Sequence, residues 1–352
     1  MEMNKMIKKK INWGILGTGS IARVFASGIQ RSTTGNLYAI GSRTKESAMA
    51  FSVEFDVMAI YDSYESLLED KKVDSVYIAL PHPLHAQWAI KAAEAGKHIL
   101  CEKPMAMTYD ETVKIISAAR KNNVFLMEGY MYRFHPQTSK LVDLIKQKII
   151  GDVRIIQATF SFHAEFDNIT LSNQKSRGGG GIMDVGGYPV SISRLIAGIE
   201  NGQPFSNPLE VNGMAHIGGI SQVDEWTIGT LKFEGGILAQ IAAGTSLVQD
   251  NIVRIFGSKG SIVIPSPWVP GGREPGTTKI LVYQNGKKQP EEILISTKIG
   301  LYSLEADIVA EYIEVSQSPL MSWEDTLGNM KTLDLWREAV GMSYLSNIND
   351  SI

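Results

Sequence analysis

A glycine turn near the amino terminus constrains the fold more than any other stretch of this sequence. An apolar run at residues 11–16 is followed by the turn at residues 17–22 and then by a helical pattern through Ile29. Gly17 permits the tight turn, Gly19 lets the backbone approach a pyrophosphate, and Ala22 allows close packing of helix on sheet. The helix amino terminus then faces the phosphates. The pattern predicts a dinucleotide site at Gly17, Thr18, Gly19, Ser20, Ile21 and Ala22, with an ordinary strand-to-helix turn as the alternative.

Strands and helices continue to alternate after this turn. Apolar runs are found at residues 36–41, 59–60, 73–80, 97–101 and 124–127, and helical patterns separate them. Such alternation is typical of a doubly wound parallel sheet, in which ligands bind beyond the carboxyl ends of the strands. Residues 1–133 are therefore predicted to form a Rossmann domain of the α/β class.

The end of the second predicted strand indicates which nicotinamide cofactor is bound. An NAD site usually has Asp or Glu here to hold the ribose 2′-hydroxyl, whereas an arginine accommodates a 2′-phosphate. This chain has Ser42 and Arg43 at that point. The pair favours NADP over NAD, and an exposed arginine at the mouth of a helix is the structural alternative.

A second domain is expected because 352 residues exceed the usual size of one hydrophobic core. After Pro136 a helix at residues 138–148 is followed by long alternating strands. These are predicted at residues 153–163, 209–217, 225–233, 237–244, 251–256, 261–264 and 279–283. Residues 134–352 are therefore predicted to form an α+β domain with a largely antiparallel sheet, one face of which is open for a partner subunit.

Net charge and composition limit the classes of molecule that this protein is expected to bind. The net charge is -3 and the isoelectric point is about 6.1, so nucleic acid and anionic membranes are not expected partners. No apolar run approaches the ~20 residues of a membrane span, and the basic start lacks the apolar segment of a secretory signal. The single cysteine, Cys101, excludes an internal disulfide and fits a buried position in a reducing compartment. A cytoplasmic protein acting on a small molecule is predicted.

Two short segments carry the candidate chemistry. Glu102-Lys103-Pro104 closes a buried strand and puts an ammonium at its carboxyl end, although a solvated lysine before a turn proline is the plainer interpretation. A helix is predicted from Met183 to Ile196, so Asp184 and Tyr188 share one face. Cap and core positions are the alternative for these two residues. A phenol has a pKa near 10, and an ammonium such as that of Lys103 would lower it toward neutrality.

The segment Pro81-His82-Pro83-Leu84-His85 follows the fourth predicted strand. Two histidines without a third ligand make a poor metal site, so no metal is predicted. His82 and His85 are instead expected to line the nicotinamide pocket, with packing at a helix cap as the alternative.

Together these segments resemble the glucose-fructose oxidoreductase and inositol dehydrogenase family, the Gfo/Idh/MocA family. The resemblance covers nearly the whole chain and rests on residues 17–22, 95–104, 127–136 and 179–188. Tyr188 and the run Leu126-Met127-Glu128 look most like the branch of dimeric dihydrodiol dehydrogenase and glucose-fructose oxidoreductase. Members similar to inositol dehydrogenase have a histidine at the position of Tyr188, which argues against an inositol substrate.

The resemblance implies roles for individual residues. Lys103 would contact the nicotinamide ribose and the reacting oxygen, Asp184 would orient the substrate and Tyr188 would relay the proton, with Pro104 in a cis peptide bond. Further cofactor contacts are expected from Leu80, Pro81, His85 and Glu102. Substrate contacts are expected from His82, Tyr132, Arg133 and His163.

The predicted function is NAD(P)-dependent hydride transfer between nicotinamide and a sugar, a sugar derivative or a vicinal diol. Two alternatives stay open at this point: a nucleotide-sugar ketoreductase of the same family, and a non-catalytic NADP-binding sugar sensor. The resemblance also implies a homodimer or tetramer formed through the open face of the second sheet.

Overall fold

The first half of the chain forms one parallel sheet. The computed structural model describes residues 10–164 and 175–342. The strands of this sheet are β1 (Ile11–Leu16), β2 (Gly35–Gly41), β3 (Ala59–Tyr61), β4 (Ser75–Ile78), β5 (His98–Glu102) and β6 (Leu126–Gly129). They lie in the order β3-β2-β1-β4-β5-β6, which confirms the predicted doubly wound sheet. The order reverses between β1 and β4, so the ligand crevice opens beyond the carboxyl ends of these two strands.

Helices cover both faces of this sheet, as parallel strands require. They are α1 (Ser20–Arg31), α2 (Lys45–Phe55), α3 (Tyr64–Glu69), α4 (His85–Glu94) and α5 (Tyr109–Lys121). Phe25 of α1 is buried and stacks on Tyr77 of β4, with ring centroids 3.8 Å apart. Burial of large aromatic rings between helix and sheet holds α1, and with it the glycine turn, in place.

The second half of the chain forms a mixed sheet of eight strands. These are β7 (Val153–Ser161), β8 (Glu210–Ile217), β9 (Asp224–Lys232), β10 (Leu238–Gly244), β11 (Val253–Gly257), β12 (Gly260–Ile264), β13 (Thr277–Gln284) and β14 (Glu291–Ser296). Their order is β14-β13-β12-β11-β7-β10-β9-β8. Within the described part of the chain, β7 and β10 are the one parallel pair of this sheet, so the predicted, largely antiparallel character is confirmed.

Four helices accompany this sheet among the described residues: α6 (Pro136–Lys146), α7 (Gly187–Glu200), α8 (Leu301–Tyr312) and α9 (Trp323–Ala339). The helix predicted from Met183 instead begins with a π-helical turn over Ile182–Gly186, and α7 follows it directly. Strand β14 and helices α8 and α9 were not predicted. The first predicted strand of this domain ends at Ser161, two residues before its expected end.

Helix α8 returns to the first domain and packs on α1. The hydroxyl of Ser303 donates to the carbonyl oxygen of Gly28 at 2.7 Å. A Cβ atom on Gly28 would lie 2.8 Å from the Cβ of Tyr302, so glycine is required for this close approach. The division after residue 133 stays a prediction, and this contact crosses it.

One face of the second sheet is open. Its exposed side chains include large apolar ones: Ile155, Met214, Trp226, Ile228 and Leu238. A groove of about 500 Å³ runs over this face, and residues of strands β7, β8, β9, β10 and β11 line it. Arg254 of β11 is one of these lining residues. We call this surface the outer sheet face. None of the described helices is long and apolar enough to cross a bilayer.

Candidate active site

The glycine turn is built as a dinucleotide cradle requires. Gly17 has a φ of 103°, and a Cβ there would lie 2.7 Å from the carbonyl oxygen of Ala79, so glycine is needed on both counts. A Cβ on Gly19 would meet nothing within 4 Å, which leaves open space above the turn. Helix α1 begins at Ser20 without a side-chain cap. Its first backbone N–H groups can therefore bind a pyrophosphate, and this turn fits the cofactor.

Ser42 and Arg43 lie at the carboxyl end of β2, as predicted. Ser42 is buried and its backbone N–H donates to the carbonyl oxygen of Tyr61 at 3.1 Å. Arg43 is exposed and lies close to the Tyr64 hydroxyl. Burial raises the pKa of Tyr64, and the nearby Arg43 guanidinium partly opposes this rise. The guanidinium therefore lies beside the edge of the crevice where a 2′-phosphate is predicted to bind.

His85 supports the backbone near the crevice. Its ring is fully buried, with Nδ1 2.8 Å from the carbonyl oxygen of Pro104 and Nε2 2.8 Å from that of Leu80. Both nitrogens thus face backbone carbonyl oxygens, and the predicted contact of His85 with the cofactor stays a prediction. His85 fixes the turn that contains Leu80 and Pro81 against the turn after β5.

His82 reaches from the first half of the chain to the second. Its Nδ1 lies 3.0 Å from the carbonyl oxygen of Gly178, shortly before the π-helical turn. Burial, together with His85 and Lys103, lowers the pKa of His82 to about 4. The ring is therefore neutral near pH 7 and donates its Nδ1–H to that carbonyl. Among the described residues, no group of three His, Cys, Asp or Glu side chains is placed to hold a metal ion.

Lys103 and Asp184 meet across the crevice. Lys103 follows β5, and its peptide bond to Pro104 is cis. Its ammonium donates to the carbonyl oxygen of Asp184 at 2.7 Å, and lies 3.3 Å from the Asp184 carboxylate. Both side chains are mostly buried, with 16% and 20% of their surface exposed. An ammonium and a carboxylate from opposite halves of the chain are thus held in one small site.

Tyr188 completes this group. The Lys103 ammonium lies 5.4 Å from the centre of its ring. The Tyr188 hydroxyl donates to the sulfur of Met131 at 3.4 Å, and a thioether is a weak acceptor. Four other aromatic rings surround it, with centroids 5.0 to 5.8 Å away: Tyr130, Tyr132, Phe160 and Trp268.

The expected effect of Lys103 on the pKa of Tyr188 is wrong for this structure. Burial raises the pKa of the phenol well above 10, and Tyr302 and Glu102 raise it further. The physical reason is that an ionised phenol would lose its hydration among aromatic rings, and the Lys103 ammonium is already bound to Asp184. Tyr188 therefore holds its proton at neutral pH.

Both carboxyl oxygens of Glu102 have hydrogen-bond partners within the protein. Its side chain is buried and accepts from the hydroxyl of Tyr77, and the backbone N–H of Lys103 lies 3.3 Å from its other oxygen. Burial raises the pKa of Glu102, and Lys103 opposes this rise. The predicted contact of Glu102 with the cofactor stays a prediction.

Two of the predicted substrate residues have structural partners. Arg133 donates to Asp325 at 2.8 Å and to Ser191 at 3.0 Å, and the Tyr132 hydroxyl donates to the same Ser191 at 2.8 Å. Asp325 also binds Arg194 at 2.6 Å. The polar groups of Tyr132 and Arg133 therefore connect to α7 and α9, and their predicted contact with substrate stays a prediction. Only the ring of Tyr132 borders the aromatic group around Tyr188.

His163 lies apart from this group. It is exposed and pairs with Ser246 in an isolated bridge beyond the end of β7. In the described part of the chain, no contact joins its side chain to Lys103, Asp184 or Tyr188. Its predicted role in substrate binding stays a prediction.

Sequence reasoning missed several residues of the site. Met131 and Phe160 fall inside segments that were assigned, the first to a domain crossing and the second to a strand, but neither pattern points to Tyr188. Trp268 was not missed in this way, because the Pro- and Gly-rich segment 265–276 is predicted from its sequence to be a loop that borders a pocket. Its indole N–H donates to the carbonyl oxygen of Thr159. Glu305 belongs to the unpredicted helix α8, so no signal identified it.

Comparison with known proteins agrees with this architecture. Residues 11–130 match the family described as "Oxidoreductase family, NAD-binding Rossmann fold", and residues 138–263 match the "GFO/IDH/MocA C-terminal domain". The chain is 31% identical over 343 residues to trans-1,2-dihydrobenzene-1,2-diol dehydrogenase of Xenopus tropicalis, covering 94% of this chain and 98% of that protein. It is 29% identical over 322 residues to D-xylose 1-dehydrogenase (NADP(+)) 2 of Haloferax volcanii, covering 92% and 95%.

A solved structure has the same fold. The 3-ketoreductase of Actinomadura kijaniata, in complex with NADP and TDP-benzene, superposes with a TM-score of 0.83 over 94% of this chain and 98% of that chain. The two sequences are 24% identical. At this identity the superposition establishes a shared fold.

Proposed function

The chain belongs to the GFO/IDH/MocA oxidoreductase family, whose amino-terminal domain is an NAD-binding Rossmann fold, and on this premise we propose that it catalyses hydride transfer between NADP and a carbon that bears a hydroxyl or carbonyl group. The substrate is a sugar, a sugar derivative or a vicinal diol. The observation that supports this most is the meeting of Lys103, Asp184 and Tyr188 at the edge of the Rossmann crevice.

The cofactor is proposed to bind along the carboxyl ends of β1, β2 and β4. Residues 17–22 hold the pyrophosphate, Ser42 and Arg43 hold the 2′-phosphate, and Leu80 and Pro81 border the nicotinamide. The bound nicotinamide supplies or accepts the hydride. The exposed guanidinium of Arg43 and the lack of an acidic residue at the end of β2 support NADP as the preferred form.

The protein side chains are proposed to handle the proton and the charge. Tyr188 gives its proton to the substrate oxygen during reduction and takes it back during oxidation. Lys103 stabilises the negative charge that develops on this oxygen. Asp184 holds the Lys103 ammonium in place and orients the substrate hydroxyl groups.

The named relatives support a substrate with neighbouring hydroxyl groups, since one is named for a dihydrodiol and another for xylose. A second candidate is a ketoreductase that acts on a nucleotide-linked sugar. It is favoured by the ketoreductase that shares the fold and was solved with a TDP compound. The third candidate, a sugar sensor that turns nothing over, is disfavoured by the presence of Lys103, Asp184 and Tyr188 in one site.

The experiment that tests this function uses the full chain with NADP and NADPH. Each cofactor is first titrated for binding, and the protein is then incubated with panels of pentoses, hexoses, cyclic diols and nucleotide-linked keto-sugars while the absorbance of reduced cofactor is followed. We expect turnover with one of these panels. Tight NADPH binding without turnover on any panel would contradict an enzyme and favour the sensor.

We also propose that two copies associate through the outer sheet face and that the protein is cytoplasmic. Large apolar side chains exposed on this face support the first proposal, because monomeric proteins rarely expose such patches. The buried free thiol of Cys101 supports the second.

A further inference from the structure

Two buried carboxyl groups lie directly behind the proposed catalytic site. Glu102 is the last residue of β5, and Glu305 projects from α8 toward the end of β6. A Cβ built on Gly129 would lie 3.4 Å from Oε1 of Glu305 and 3.5 Å from the Cα of Glu102. The Glu305 carboxyl and the backbone of Glu102 therefore border the same small space beside Gly129, and Glu102 is close enough to raise the pKa of Glu305. Lys103 is the next residue after Glu102.

Glu305 is the more unusual of the two. It is completely buried, and neither of its carboxyl oxygens has a hydrogen-bond partner among the described residues. A buried polar group that lacks partners costs free energy, so its retention calls for an explanation. A purely structural carboxyl group would be expected to accept hydrogen bonds, as one oxygen of Glu128 does from the backbone N–H of Met105 at 2.8 Å, although the other oxygen of Glu128 has no partner among the described residues.

The surroundings oppose full ionisation of this pair. Burial raises the pKa of Glu305 well above its usual range, and neighbouring Glu102 raises it further. Burial also raises the pKa of Glu102, against the effects of Lys103 and of the Tyr77 hydrogen bond. The other titratable groups that face the pair from the elements around it are Tyr77, Cys101, Lys103, Asp184, Tyr188 and Tyr302. Lys103 is the one cation in that set, and its ammonium is bound to Asp184.

We propose that Glu102 and Glu305 form a proton-releasing carboxyl pair that gives up a proton when the positively charged nicotinamide of the oxidised cofactor binds beside Lys103. The inference rests on the proposed function, which brings the nicotinamide to this strand end. A neighbouring opposite charge lowers the pKa of a carboxyl group, and the effect reaches ~1 to 3 units when the charges are within about 4 to 6 Å. The reduced nicotinamide has no charge and leaves the pair protonated.

The carboxyl pair links the charge of the bound nicotinamide to the release or uptake of one proton by the protein. Binding of NADP⁺ places one positive charge in a buried site and removes one proton from the pair, so the net charge there stays the same. Once hydride transfer has neutralised the ring, the pair binds a proton again. The pair therefore makes NADP⁺ binding depend on pH, whereas NADPH binding lacks this dependence.

The sign of the pH effect follows from the direction of the pKa change. A group whose pKa falls on binding releases protons at pH values between its bound and its free pKa, and the ligand binds more tightly as pH rises through that interval. The affinity for NADP⁺ should rise relative to that for NADPH by up to about tenfold per pH unit there. Both cofactors carry the same 2′-phosphate, so its own titration cancels in the comparison.

Isothermal titration calorimetry tests the proposal without any substrate. Full-length protein is titrated with NADP⁺ and with NADPH in two buffers of different ionisation enthalpy, which measures the number of protons released. We expect NADP⁺ to release more protons than NADPH does. Glu305→Gln has nearly the same shape and should abolish this difference, and Glu102→Gln should reduce it.

Glu128→Gln is the matched control, because Glu128 is a buried glutamate on the neighbouring strand β6. Burial raises the pKa of Glu128 to about 8. It should leave the difference between the cofactors intact. Thermal melts establish that all three variants are folded. Equal proton release for both cofactors, or a difference that survives in folded Glu305→Gln, would overturn the carboxyl pair while the proposed function stands. Failure to bind either cofactor would overturn the proposed function, and the carboxyl pair with it.

Discussion

At the scale of single residues, the environment of Tyr188 decides how it handles a proton. Burial among aromatic rings raises the pKa of its phenol, which keeps the hydroxyl protonated at neutral pH and also makes it a weaker acid. Its partner, the Met131 sulfur, is a weak acceptor. Transfer of this proton to a substrate carbonyl is the role that we propose for the group.

Replacing Tyr188 by phenylalanine tests this role. Tyr188→Phe should lower kcat by about 10² to 10⁴, because it removes the proton donor, and NADPH binding should be retained. Tyr132→Phe is the matched control, since the Tyr132 hydroxyl lies in the same aromatic group but donates to Ser191. Unchanged steady-state turnover in Tyr188→Phe would exclude the residue from the mechanism.

Arg43 should determine the choice of cofactor. Arg43→Ala is expected to weaken NADPH binding by about 1.5 to 3 kcal/mol, because a charged hydrogen bond to the 2′-phosphate is lost. NADH has no such phosphate and should bind almost as before. Fluorescence titration with both cofactors measures this, and an equal loss for the two would remove Arg43 from the 2′-phosphate site.

Sequence patterns predicted Lys103, Asp184 and Tyr188 as one group, because each lies in a short segment whose chemistry is local, and the structure brings these residues together. They could not show the partners of Arg133, because those partners are distant in sequence. Asp325, which binds Arg133, is 192 residues away. A charged residue in a promising segment cannot be assigned to substrate until such distant partners are known.

At the scale of helices and strands, the glycine turn after β1 depends both on the positive φ of Gly17 and on its close approach to the backbone of Ala79.

Most of the strands and their order in the first sheet could be predicted, since buried parallel strands produce continuous apolar runs. Helix α8 could not, because its buried face includes Glu305 and Ser303 as well as apolar side chains. The π-helical turn before α7 escaped prediction because its residues fit an ordinary α-helical spacing equally well.

Gly17→Ala should abolish cofactor binding. The methyl group would lie 2.7 Å from a backbone oxygen and would also disfavour the positive φ, so the turn must move. Gly202→Ala is the control, because Gly202 also has a positive φ but a Cβ there would meet nothing within 4 Å. It should cost about 1 to 2 kcal/mol of folding stability without affecting the cofactor. NADPH titration measures the affinity of both variants, and thermal melts measure their stability. Normal NADPH binding by Gly17→Ala would contradict the role of this turn in holding the cofactor.

At the scale of the whole molecule, a buried ion network joins distant parts of the chain. Asp325 at the start of α9 binds both Arg133 and Arg194. Burial alone would raise the pKa of Asp325, but the two guanidinium groups outweigh this and lower it. The negative charge of Asp325 therefore supports the folded state.

Asp325→Asn should reduce the free energy of unfolding by about 3 to 5 kcal/mol, because it leaves two arginines buried without a counter-charge. The depressed pKa adds a pH dependence: its stabilisation is present above the unfolded pKa of about 3.9 and is lost as pH falls through the lower folded value. Urea unfolding between pH 3 and pH 7 measures both effects. As a control, Glu292→Gln removes an exposed ion pair with Lys279 and should cost at most about 1 kcal/mol. Equal losses in the two variants would contradict the proposed importance of the network.

The outer sheet face should control the oligomeric state. Ile228→Lys puts a charge at the middle of this face, so it should shift the protein from dimer or tetramer toward monomer. Val53→Lys is the control, because Val53 is also apolar and is more exposed than Ile228, but it lies on α2 in the other domain. Light scattering after size-exclusion chromatography gives the masses, and an unchanged mass for Ile228→Lys would mean that another surface mediates association.

The contact between Lys103 and Asp184 spans 81 residues of sequence, which matters during biosynthesis. The Rossmann strands emerge first from the ribosome, so the glycine turn and Lys103 are synthesised before Asp184 and Tyr188. Products of premature termination before residue 184 would retain Lys103 but lack both the carboxylate and the phenol. Under the proposed mechanism, chemical competence therefore arises only after translation has passed the second segment.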